Sequence, residues 1–117
     1  MEYTFYTKTL DTTEGLFFLI KTKTNVLQNF GDSDWTPQKA QEIIDGIEQS
    51  KTKTKGEEYI WANEDLTVHA NKNGILLVDM MAQRAGIYDP DSITLRLEHN
   101  EFIAFLQDFK KFIEENN

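Results

Sequence analysis

The chain of 117 residues has no cysteine, only two prolines, two histidines and six scattered glycines. Each scarcity excludes something. Without cysteine there are no disulfides, no thiolate nucleophile and no cysteine-bound zinc. The glycines never cluster, so no phosphate cradle is written into the sequence. No His-Glu-x-x-His, calcium loop or Gly-x-Ser-x-Gly occurs. Base is also scarce: 12 Lys and Arg stand against 20 Asp and Glu, a formal net charge of −8. A nucleic-acid binder neutralises phosphates and needs the opposite surplus, so nucleic acid is not the expected partner. The longest strongly apolar run is Leu16 to Ile20, far below the roughly 20 residues of a membrane helix. Met1-Glu2-Tyr3-Thr4-Phe5 lacks the basic and apolar regions of a signal peptide, and the expectation is a cytoplasmic protein.

What is present is 39% apolar residues, ordinary for a globular domain and too many for a disordered chain. The length suits one domain, residues 1–117, able to bury roughly two thirds of its unfolded surface.

Residues 2–8 alternate with aromatic and β-branched side chains, which predicts a strand. Asp11 to Gly15 is turn chemistry. Leu16 to Ile20 is apolar on both faces and predicts a central strand covered on both sides. Val26 to Phe30 alternates again, completing an expected three-stranded meander. Thr36-Pro37 opens a helix over about 37–50, with threonine as cap and proline in the first turn. Ala40, Ile43, Ile44 and Ile47 form its apolar stripe. Gly46 weakens it by roughly 1 kcal/mol relative to alanine, so it should depend on docking.

Residues 57–62 and 66–70 read as a hairpin across Asn63-Glu64-Asp65. Residues 75–85 are open: Ile75 to Val78 suits a buried strand, whereas Asp79 to Ala85 prefers helix. Tyr88-Asp89-Pro90-Asp91 reads as a turn and Ser92 to Glu98 as a strand. Asn100 reads as the cap of a last helix over about 101–115, with Phe102, Leu106, Phe109 and Ile113 on its stripe. The sum is an α+β domain: one antiparallel sheet of about five to six strands covered by two helices.

Chemistry is thinly signalled. His69 and His99 have no nucleophile motif around them, and a catalytic pair requires that they converge in space. The expectation is no enzyme, no catalytic residues, no metal and no cofactor. Lys51, Lys53 and Lys55 alternate with threonines, the pattern of a solvated loop more than of an acidic-partner site. Two aromatic-acidic segments are the better candidates for a protein-binding surface. They supply Asp32, Asp34 and Trp35 on one side and Tyr88, Asp89 and Asp91 on the other, with Glu64 and Asp65 from the hairpin turn. Trp and Tyr are favoured hot-spot anchors, and carboxylates speed encounter with a basic partner. The plainer account makes Trp35 a hydrophobic staple packing toward Ala40 and the aspartates turn formers.

Several blocks in order resemble the YacL family of small uncharacterised bacterial proteins. They are Met1-Glu2-Tyr3-Thr4-Phe5, Gly56-Glu57-Glu58-Tyr59-Ile60-Trp61, Val68-His69-Ala70-Asn71, Tyr88-Asp89, Ser92-Ile93-Thr94-Leu95, and Phe102 with Phe105-Leu106 and Phe109. The resemblance implies a small cytosolic α+β protein and carries over no catalytic residue. Size, acidity and lack of motifs also look like the immunity proteins that neutralise basic toxins, a likeness of profile only. The expected function is therefore a non-enzymatic, acidic binding protein that occludes a basic protein, such as a toxin or nuclease. The alternative is a YacL-like housekeeping protein, monomeric or homodimeric through a sheet edge or an exposed apolar face.

Overall fold

Aromatic and β-branched residues extend the chain from its start. In the computed structural model, which describes residues 2–9, 16–32, 35–54 and 56–116, they form β1 (Thr4–Thr9). β1 pairs antiparallel with β2 (Leu16–Lys21), from Thr4 opposite Lys21 to Thr9 opposite Leu16. The expected turn at 11–15 lies outside the described residues. β2 is not the centre of a broad sheet. Of its residues Phe18 and Ile20 are buried, and among the described residues one bridge, from Phe18 to Asp32, lies beyond it.

The expected third strand is instead a short helix, α1 (Asn25–Gln28). The Thr24 carbonyl accepts from the Leu27 and Gln28 N–H groups, and Val26, Leu27 and Phe30 are all buried. Spacings of one and three put them on one helical face, which a period-two reading of the same residues splits apart. With α1 in the place of a strand, the expected single sheet becomes two antiparallel sheets, of two and four strands.

The helix predicted at 37–50 is α2 (Pro37–Ser50), and the Thr36 hydroxyl accepts from the Lys39 N–H at 3.1 Å. Gly46 has a packing reason: a Cβ there would sit 2.4 Å from the Tyr59 ring. A meander follows, β3 (Tyr59–Ala62), β4 (Leu66–Asn71), β5 (Gly74–Asp79) and β6 (Thr94–Leu97), paired in that order. Residues 75–85 satisfy both readings. The strand runs to Asp79, whose carboxylate then accepts from Ala82 N–H and starts α3 (Met80–Arg84). The strand expected at 92–98 is shortened by α4 (Pro90–Ile93), because the Asp89 carboxylate accepts from the Asp91 N–H and caps a helical turn that starts at Pro90. The last helix, α5 (His99–Asn116), begins earlier than 101. Asn100 lies within it. Glu101 instead reaches back to the Glu98 N–H at 3.0 Å, half of a capping box.

α5 is the spine between the sheets. Phe105, Phe109 and Phe112 meet Phe5 of β1, while Phe102, Phe105 and Phe109 join a cluster with Phe30 and Trp35. α2 and α5 pack on each other and on the face of the larger sheet that carries Leu66, Val68, Ala70, Ile75 and Leu77. The opposite face carries a cross-strand row of Ile60, His69, Leu76 and Arg96.

Candidate functional site

The meander has two ends, and they differ in charge. One end gathers the β3–β4 turn, the end of β5 with α3, and the 85–94 segment that leads through α4 into β6. Residues 63–65 and 79–94 contain Glu64, Asp65, Asp79, Asp89 and Asp91 against Arg84 alone, five carboxylates to one guanidinium. The other end mixes Lys51, Lys53 and Lys72 with Glu57, Glu58, Glu98 and Glu101. Lys55 lies outside the described residues. Lys51 is held there, 3.2 Å from Glu48 and donating to Asn100 Oδ1 at 3.0 Å.

The acidic end is built by local hydrogen bonds. Asn63 Oδ1 accepts from the Asp65 and Leu66 N–H groups, an Asx turn that holds Glu64 outward. Met80 N–H bonds the Asp65 carbonyl and ties α3 to the turn. Arg84 closes the arrangement, donating to the Glu64 carbonyl at 2.5 Å with its guanidinium 4.0 Å from the Asp65 carboxylate. α3 in turn packs on α4. Asp89 caps α4 and accepts from the Ser92 hydroxyl at 3.0 Å, leaving Asp91 exposed.

Between α3 and α4 the chain exposes Tyr88, 70% accessible, with Ile87 beside it and Met81 on α3 also open to solvent. Glu64, Asp65, Tyr88, Asp89 and Asp91 thus share one end of the fold. Sequence reading missed Met81, Ile87 and Arg84. An apolar residue in a short helix or loop carries no sign of exposure in its own sequence.

The Asp32–Trp35 segment is placed differently. Trp35 is 6% accessible and stacks on Phe30 and Trp61, with centroids 5.3 and 5.6 Å away. Its Nε1–H donates to the Phe30 carbonyl at 2.6 Å. The ring is core, so its face is not a surface anchor, and its stacking is on these rings. Asp32 exchanges both backbone bonds with Phe18. Asp34 lies outside the described residues. Asp32, Trp35, Lys39 and Glu42 nevertheless line a groove that ends at Trp61, Ala62 and Asn63, beside the acidic turn.

The two histidines have different hydrogen-bond partners. His69 lines a concavity of about 360 Å³ on the open sheet face, its Nδ1 3.3 Å from Glu58. His99 lines another with Lys51 and Asn100, and only Asn73 belongs to both. His99 Nε2 is taken by the Asn71 carbonyl at 2.6 Å. Among the described residues no group of three His, Asp or Glu side chains is arranged to hold a metal ion, and no helix is long and apolar enough to cross a membrane.

Burial pushes the Tyr59 hydroxyl above its ordinary range, and the neighbouring charge of Glu42 adds to it. Tyr3 is raised further, by burial and by its hydrogen bond to Asp108. Both rings are held neutral and serve packing. Compared with known protein families, curated proteins and solved structures, the chain finds no match.

Proposed function

We propose that this chain is a non-enzymatic binding domain whose acidic end docks a basic protein, in the manner of an immunity or inhibitor protein blocking a toxin or nuclease. The observation that carries the reading is the exposed Tyr88 at the same end of the fold as carboxylates from two separate segments, Glu64-Asp65 and Asp89-Asp91. A large amphipathic ring supplies buried area at low entropic cost, and the surrounding charge steers a cationic surface onto it. Met81 and Ile87 extend the apolar contact. The carboxylates stand in for phosphates at the partner's basic site, so docking occludes that site. A cytoplasmic location and the YacL-like kinship belong to the same proposal, the latter resting on the order and spacing of the sequence blocks.

The test is capture of partners from the native cell lysate on immobilised wild-type protein and on the variant Tyr88→Ala, Asp89→Asn, Asp91→Asn. The expected result is a basic protein held by the wild type, released by salt and lost on the variant. Recovery of the same proteins by both, or of no basic protein by the wild type, overturns the reading.

A further inference from the structure

The smaller sheet has an open edge whose polarity can be derived. Phe18 gives its N–H to the Asp32 carbonyl at 3.0 Å and takes the Asp32 N–H at 3.1 Å. Its backbone groups therefore point away from β1. Thr7 lies opposite Phe18, so this pair exchanges no hydrogen bonds, and the Thr7 N–H and C=O point to the other side of β1. Phe5 and Thr9 share that direction by the alternation of an antiparallel ladder. Among the described residues no strand lies on that side, and no other backbone bond reaches these groups. β1 reads Thr-Phe-Tyr-Thr-Lys-Thr, without the proline or bulge that usually blunts an edge. Lys8 is its only charge.

We infer that β1 pairs with β1 of a second copy, antiparallel about a two-fold axis through Tyr6. Charge selects this occupant. A copy of net charge −8 is repelled most from the acidic parts of the surface, but residues 1–30 carry three acids and three bases, so here the facing segments add no local repulsion. The ladder requires outward-pointing residues to face each other, and of the registers this allows, Phe5 opposite Thr7 of the second copy is the one that joins opposite charges; it sets Tyr6 opposite Tyr6 and Thr4 opposite Lys8. Glu2, Thr4, Tyr6 and Lys8 all lie on the exposed face. Glu2 then sits diagonal to Lys8 of the second copy, giving two symmetric opposite-charge contacts. The two Tyr6 rings, each 46% accessible, meet in the non-hydrogen-bonded pair, where side chains come closest. Both copies keep Phe5 against their own α5. This surface is separate from the acidic end, and the inference does not depend on the proposed docking.

The mass of the full chain, measured by light scattering and sedimentation up to millimolar concentration, tests it. A dimer is expected. Thr7→Pro removes an N–H that faces away from β2, so it leaves the hairpin bonds intact and should weaken the dimer by at least about tenfold, because two symmetric ladder bonds are lost. The chain has no cysteine, so Tyr6→Cys introduces a single thiol opposite its own copy. Mild oxidation should link it to a covalent dimer, whereas Thr4→Cys should stay unlinked. A monomer at every concentration overturns the inference. So does a dimer untouched by Thr7→Pro, or equal linking by the two cysteine variants. Foreign strand addition at this edge would appear as a mixed complex of a monomeric chain, and also overturns it.

Discussion

Trp35 and Tyr88 are similar in chemistry and opposite in fate. Trp35 is sealed among Phe30, Trp61 and Phe109, so Trp35→Ala should cost about 3–5 kcal/mol of stability in urea unfolding. Tyr88→Ala should stay within about 0.5 kcal/mol and, on the proposed docking, should abolish capture of a basic protein. Gly46 gives a sharper residue-scale prediction. Helix propensity alone says that Gly46→Ala stabilises by about 1 kcal/mol, but the new methyl would strike the Tyr59 ring. The expected result is destabilisation by about 1–3 kcal/mol. In a Tyr59→Ala background the same change should stabilise, and a double-mutant cycle reads the difference. The tyrosines also set an alkaline limit. A raised folded pKa means that the unfolded chain releases its proton first, so stability is full below the ordinary tyrosine value of 10.0 and falls as pH rises beyond it. Tyr3→Phe and Tyr59→Phe should flatten that fall in unfolding curves measured from pH 8 to 11, a window of about one to two units on either side of the unperturbed value.

At the scale of elements, legibility followed the length and redundancy of the local signal. α2 was readable to both ends because threonine cap, proline and apolar stripe agree. Thr36→Ala should therefore cost about 1 kcal/mol in thermal or urea unfolding. β3 and β4 were readable from alternation, whereas β5 lies in a continuous apolar run that suits strand and helix alike. α1 and α4 were not readable, since a four-residue helix offers barely one turn of periodicity. For α1 the same three apolar residues fit a strand equally well until their common burial decides. For α4 the Asp89-Pro90 pair suits both a turn and a helix start. α5 began early because Glu98 and Glu101, rather than Asn100, cap it.

For the whole molecule, the proposed docking takes its class of partner from net charge and its address from the fold. Segments far apart in sequence meet at one end of the meander, and the lysine-bearing connector is carried to the other. If docking uses that end, the association rate with a basic partner should fall steeply as salt is raised, while dimer formation along β1 should change little; stopped-flow mixing and sedimentation measure the two. The sequence by itself determined the α+β class, the long helices, the hairpin of β3 and β4 and the surplus of acid, because periodicity, caps and composition are local or additive. Only the tertiary structure decided that the strands form two sheets, that Trp35 is core while Tyr88 is surface, and that β1 keeps an open edge. Those outcomes depend on which side chains compete for the same interior space, and no single segment contains that competition.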